Sequence, residues 1–245
     1  DLAALARASR VASVTAAGTA VLRRARDADA FVSRVRAETG LELTVLSGEQ
    51  EARLTHLGAV ANLPDLDGAL VTCDIGGRST ELTWGRGAAP IGLASLDLGT
   101  MSLAEAHGLG AVTDAQHLDA ARAEAAAALA PVLGRVGPAR LVAIGATPGS
   151  LVAIDRGRDV ADSLAVHGAD LDAATVGALV ARLAGLDTGQ RRALPGLHPD
   201  RAPVILAGAV ILEALLAWRP EPPLVVSATG LREGLLIARG GATGP

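Results

Sequence analysis

The stretch Val71–Leu82, VTCDIGGRSTEL, sets an acid, Asp74, at the end of an apolar run, then two glycines, a hydroxyl pair and a second acid, Glu81. A buried carboxylate with nothing to share its site is costly. Asp74 therefore calls for a hydrogen-bond network, a metal ion, or a phosphate bound through a metal. Adjacent glycines, Gly76 and Gly77, let backbone N–H groups approach a phosphate closely. A dinucleotide fingerprint would space its glycines as G-x-G-x-x-G and lead into a helix. Here the alternating STELTW follows, which reads as the return strand of a hairpin. An ordinary tight hairpin with a capped Asp accounts for the same residues without any ligand.

Two further stretches carry chemistry-bearing types. IGATPGS, Ile144–Ser150, is a second strand-plus-glycine pattern around Gly145, and two such loops can form facing walls of a cleft. SGEQEARL, Ser47–Leu54, places Glu49, Glu51 and Arg53 in the first turns of a helix. The helix dipole favours acids there. That can be stabilisation of the helix start and nothing more, or it can supply an ionised base for an attacking water. Cys73 inside an apolar strand reads as a small core residue. The five histidines show no metal-ligand spacing. Arg7, Arg10, Arg23, Arg24 and Arg26 read either as a solvated face or as a polyanion track.

Composition narrows the function classes. A net charge of −4 opposes general duplex binding, which needs a basic face. Aromatics make up 1% of the chain, so stacking platforms for single strands are missing too. No lysine occurs, which removes Schiff-base chemistry and the P-loop lysine; phosphate would be handled by arginine, backbone amides and metal. No apolar run approaches the roughly 20 residues that span a bilayer, and the single cysteine forms no internal disulfide. The expectation is a soluble, cytoplasmic protein.

The elements that must position these residues follow from periodicity. VASVTAAGTAV predicts a short strand, DADAFVSRVRAETG a helix stopped by Gly40, and ELTVLS a strand. Ser47 and Gln50 form a capping-box pattern before the next helix. GALVTCDIGG reads as a strand buried on both faces; STELTWG and PIGLASLDLG follow as strands, and a long helix covers about Asp114–Leu133. ARLVAI predicts another strand and Asp170–Leu186 a helix. A very apolar helix, then a strand, a turn and a last helix complete the order. This is an α/β chain with the strand–strand–strand–helix–strand–helix rhythm of a ribonuclease H-like unit. We expect residues 1–50 to be the latter part of one such domain, residues 51–239 a second, and residues 240–245 a disordered tail.

Taken in order, the motifs resemble the exopolyphosphatase/guanosine pentaphosphate phosphohydrolase family. GTAVLRRARDADAF is similar to its Ala-Thr-Ser-Ala-x-Arg segment, LSGEQEARL to its Ser-Gly-x-Glu-Glu-Ala-Arg signature, and DIGGRSTEL to Asp-x-Gly-Gly-Gly-Ser-x-Glu. RAPVILAGAVILEALL and SATGLREGLL match its late helix and closing segment. The resemblance implies two ribonuclease H-like, actin-like domains with a cleft between them, and Mg²⁺-dependent removal of terminal phosphate from inorganic polyphosphate. The alternatives are guanosine pentaphosphate as substrate, or a non-catalytic polyphosphate or alarmone binder. It implies Glu51 as the water-activating base and Asp74 and Glu81 around the metal. Arg23, Arg53, Gly76, Gly77, Ser79 and Gly145 would lie on phosphate. A homodimer is compatible with it.

The chain also departs from that pattern. The family's Asp-x-Gly-x-Asn-Ser loop has no counterpart, which raises the expectation that the first domain is incomplete. Arg78 stands where the family has a third glycine, Ala20 where it has a hydroxyl, and Pro148 removes an amide donor from the second loop.

Overall fold

The computed structural model describes residues 2–9, 11–61, 63, 64, 66, 68–158 and 163–240. Helix α1 (Leu2–Ala8) precedes a small unit in which β1 (Ala16–Gly18) pairs in parallel with β2 (Leu43–Val45). Two helices, α2 (Ala20–Arg24) and α3 (Ala28–Thr39), connect those strands. Gly40 ends α3 in the left-handed region, φ 74°, where a side chain would be strained.

Helix α4 (Gly48–Val60) starts on the capping box expected from its sequence: the Gln50 N–H donates to Ser47 Oγ, and the Ser47 N–H to Gln50 Oε1. It runs unbroken across residues 50 and 51.

The main sheet follows as β3 (Ala69–Ile75), β4 (Thr80–Arg86) and β5 (Ala89–Leu96), an antiparallel meander. After α5 (Thr100–Ala106) and α6 (Ala115–Leu133), β6 (Arg140–Ile144) pairs in parallel with β3. Helices α7 (Ala146–Arg156), α8 (Ala173–Ala184), α9 (Thr188–Arg192) and α10 (Ile205–Trp218) then surround the edge strand β7 (Asp170–Leu171) and the inner strand β8 (Leu224–Ser227). The sheet order is β5-β4-β3-β6-β8-β7, and α11 (Leu231–Gly240) closes the chain. This is the ribonuclease H-like rhythm that the sequence predicts.

Several boundaries differ from the sequence reading. The glycine loop after β6 is a single residue, Gly145; ATPGS already belongs to α7. Pro148 is accommodated because the first turn of a helix needs no intrahelical N–H bond. The segment expected to be helical from Asp170 begins as β7, with Asp172 capping α8. Helices α5 and α9 were not anticipated, being too short to show a period. Gly240 ends α11 instead of opening a tail; residues 241–245 lie outside the described residues. Among the described residues no helix is long and apolar enough to cross a membrane.

Strand alternation divides the sheet into two faces. Val71, Cys73 and Ile75 join Leu82 in a large core with α5, α6, α8 and α10. Helix α10 is apolar all round and buried along most of its length, as an innermost helix must be. The opposite face of β3 presents Leu70, Thr72 and Asp74. Leu70 packs with Val60, Val142 and Val225 in a smaller cluster on the α4 side.

Helices α4 and α11 meet at backbone distance. A Cβ on Gly58 would run into the Gly230 carbonyl and the Gly234 N–H, and one on Gly234 into the Leu54 carbonyl. The Thr229 hydroxyl donates to Gly58 O at 2.8 Å, and the Ser227 hydroxyl lies 2.9 Å from Ala59 O. Gly58→Ala should therefore cost roughly 1–3 kcal/mol or more through overpacking, despite alanine's better helix propensity. Gly137→Ala, where a Cβ meets nothing within 4 Å, is the control. Urea unfolding of both variants checks this; equal midpoints would show that the two helices can separate without loss.

Candidate active site

The N-terminal half of α4 lies over the hairpin formed by β3 and β4. Between them is a polar cavity of about 20 Å³ lined by Glu51, Ala52, Thr55, Thr72, Asp74, Glu81, Thr83 and Ile144. That is room for one water molecule. Three of its walls are carboxylates.

Asp74 and Glu81 face each other directly across the antiparallel pair, and Thr72 and Thr83 do the same two residues away. Like charges opposite one another repel. Burial first, then Glu81, then Glu51 push the Asp74 carboxyl up from 3.8 to about 6. Glu81 is oriented from the far side by the Ser95 hydroxyl, which donates to Oε1 at 2.9 Å. Glu51 is held by Arg23, whose Nη1 donates to Glu51 Oε2 at 2.6 Å and to the Leu46 carbonyl at 2.9 Å. Arg23 thus ties the end of α2 to the start of α4 and fixes one carboxylate oxygen, leaving Oε1 for other partners.

The hairpin tip is cross-linked to α5. The Thr100 and Met101 N–H groups donate to Gly76 O and Gly77 O at 2.9 and 2.7 Å, and the Gly76 N–H closes the turn onto Ser79 O at 2.9 Å. The Gly76 amide is therefore spent within the turn. Among the described residues, the amides of Gly77, Arg78 and Ser79 find no backbone acceptor. Successive amides of this kind can bind an anion, and Gly77 lines the open cavity beside the tip while the Arg78 amide lies against Gly99. The Arg78 side chain leans away from them, its Nη1 and Nη2 both donating to Glu105 on α5 at 2.7 and 3.1 Å.

Gly145 adopts φ 97° as it caps α7, and a Cβ there would approach Asp74 Oδ1 to 3.4 Å. Glycine suits this position for its positive φ, and it brings the α7 N-terminus up beside Asp74. Arg53 is placed elsewhere: it pairs with Glu49 at 2.8 Å on the exposed side of α4 and does not line the cavity.

The structure also assembles residues that the sequence reading passed over. Thr72 and Thr83 could have been found from the period-two pattern, each being two positions from an acid on the same strand. Arg201 left no such signal. It ends a short 3-10 turn opened by Pro199 and lines an open cavity of about 350 Å³ with Ile75, Gly76, Gly77, Thr100, Met101, His198, Asp200 and Val204. Among the described residues no acid or carbonyl pairs with its guanidinium, and burial lowers its pKa from the usual arginine value. An unpaired arginine beside free amides fits an anionic guest.

Glu51, Asp74 and Glu81 line one cavity, but among the described residues no three His, Cys, Asp or Glu side chains are placed to hold a metal between them. Asp74 and Glu81 supply two hard oxygen donors on one face. That set suits a hard divalent cation that keeps most of its water, and it would relieve the charge crowding at Asp74.

The sequence profile of the Ppx/GppA phosphatase family matches residues 1–239. Over 249 residues the chain is 32% identical to exopolyphosphatase 1 of Mycobacterium tuberculosis, covering 98% of this chain and 70% of that protein. It is 28% identical to the guanosine-5'-triphosphate,3'-diphosphate pyrophosphatase of Pseudoalteromonas atlantica, covering 91% and 44%. The chain spans about two thirds of the length of the first relatives it matches. A crystal structure of the Aquifex aeolicus member of the Ppx/GppA family superposes with a TM-score of 0.90 at 28% identity, covering 100% of this chain and 79% of that one.

The raised pKa of Asp74 makes stability depend on pH. The folded protein holds this proton more tightly than the unfolded chain, so Asp74 is harmless below about pH 4. Its cost grows as pH rises through about 6. In chelator, Asp74→Asn should be more stable than wild type at pH 8, by at most about 3 kcal/mol, and equal to it at pH 4. Urea unfolding at the two pH values checks this; a gap that is the same at both would assign Asp74 a satisfied, uncrowded site.

Proposed function

The chain belongs to the Ppx/GppA phosphatase family, and from that premise we propose that it is a phosphoanhydride hydrolase that releases terminal phosphate from inorganic polyphosphate. The observation that carries this reading is the water-sized cavity between Glu51 and Asp74, with Glu51 steadied by Arg23. Support also comes from the exopolyphosphatases that the chain resembles at 30–32% identity.

Phosphoryl transfer passes through a loose transition state, so catalysis is mostly positioning and charge neutralisation. In this reading Glu51 Oε1 accepts a proton from the cavity water, while Oε2 stays on Arg23. The amides of Gly77, Arg78 and Ser79 and the guanidinium of Arg201 hold oxygens of the phosphate chain beyond the hairpin tip. Asp74 and Glu81 would hold Mg²⁺, which when bound neutralises charge on the phosphoryl oxygens. Arg23 is spoken for by Glu51 and acts first by orienting the base.

Glu51→Gln should fold as wild type and lose about 10²–10⁴-fold in turnover, the usual contribution of a general base. Asp74→Asn should need more Mg²⁺ for half-maximal rate. Phosphate release from long-chain polyphosphate, measured beside guanosine pentaphosphate, tests the substrate assignment. A preference for the nucleotide would transfer the same mechanism to it. Tight binding of either with no release would assign a binding protein, and unaltered turnover in Glu51→Gln would remove the base.

A further inference from the structure

His56 is fully buried on α4, little more than one helical turn beyond Glu51, among residues that otherwise pack without charge. Its Nε2 lies 2.9 Å from the Gly87 carbonyl, in the turn between β4 and β5, and its Nδ1 lies 3.0 Å from Thr72 Oγ1 on β3. A carbonyl only accepts, so Nε2 carries the proton. Burial lowers the pKa of His56 and keeps the neutral ring, which leaves Nδ1 as an acceptor.

That assignment sets the Thr72 hydroxyl. It has one proton and two neighbours, His56 Nδ1 at 3.0 Å and the Thr83 carbonyl at 3.3 Å. Only the neutral Nδ1 needs a donor from Thr72, since Thr83 O also belongs to the β-ladder. With its proton turned to His56, Thr72 offers the cavity a lone pair. A water seated there can donate one proton to Thr72 and the other to Glu51, so that its own lone pair is turned away from both.

We propose that His56 is a positioning residue: through Thr72 it orients a water in the carboxylate cavity, and through Gly87 it seats α4 on the β4–β5 turn. The proposal rests on the hydrolase reading for its kinetic consequence but not for its structural one. His56 touches no reacting atom and acts only through these two partners. A residue that only filled space at this position would need no polar atoms, yet both ring nitrogens of His56 meet a polar partner.

Three variants separate the two bonds. His56→Asn can keep an acceptor near the place of Nδ1 and so retain Thr72; His56→Gln reaches the place of Nε2 and retains Gly87; His56→Leu removes both. Turnover and KM for polyphosphate are read together with hydrogen–deuterium exchange at residues 47–52. The expected result is a kcat lowered about 10-fold or more in the Leu and Gln variants, with KM within about twofold, and most of the loss restored in Asn. Exchange at 47–52 should quicken most in Leu. Thr72→Val should reproduce the kinetic loss without the change in exchange. Wild-type kcat in His56→Leu, or Gln restoring turnover as well as Asn does, would overturn the role of Thr72. Unchanged exchange in Leu would overturn the seating of α4. If the wild-type protein releases phosphate from neither substrate, the hydrolase reading fails by itself. The exchange pattern then still decides whether His56 seats the helix.

Discussion

The backbone contact between α4 and α11 is the constraint on which the rest depends. Two glycines, Gly58 and Gly234, let the two helices approach until main-chain atoms touch, and the Ser227 and Thr229 hydroxyls reach the α4 carbonyls. Side chains at these points would push α4 outward by several tenths of an ångström or more. Because α4 carries Glu51 and covers the β3–β4 hairpin, that displacement would open the one-water cavity. The separation of Glu51 from Asp74 is therefore set by residues that have no chemistry of their own.

The site accepts a cost in return for its charge. Glu51, Asp74 and Glu81 surround one small space, and among the described residues no cation balances all three. Arg23 answers only Glu51, and Ser95 offers Glu81 a neutral donor. Asp74 is left buried among them, and burial first, then the charge of Glu81 and Glu51, holds its proton to about pH 6. On the other side of the hairpin tip the balance is reversed: among the described residues the Arg201 guanidinium pairs with no acid or carbonyl, and the Gly77, Arg78 and Ser79 amides find no backbone acceptor. One side is rich in acceptors and the other in donors. A hydrated cation and a phosphate chain are the pair of guests that would answer both.

The arginines illustrate how local pairing changes a role. Arg78, in the hairpin tip, is drawn by Glu105 onto the side of α5; Arg53 is drawn by Glu49 onto the outer face of α4. Both pairs are well exposed and so weakly held. Arg23 is partly buried and shared between a carboxylate and a carbonyl, which fixes it far more firmly.

The amino-acid sequence by itself determined the order of the longer strands, the capping of α4, the glycine stop of α3 and the alternation that puts Asp74 and Glu81 beside hairpin glycines. These are legible because each depends on neighbours within one turn or one strand pair, where backbone geometry fixes the spacing. It also marked Glu51 and Arg23 as candidates. Only the tertiary structure decided that Glu51, Asp74 and Glu81 share one cavity, that the Gly76 amide is consumed by its own turn, and that Gly145 stands against Asp74. It alone brought in Arg201, some 120 residues along the chain from the glycine hairpin, and tied His56 to Thr72 and Gly87. Such meetings come from sheet register and helix packing, and those are set by the summed burial of many apolar side chains and by glycines that admit close approach. No local pattern of residues records them.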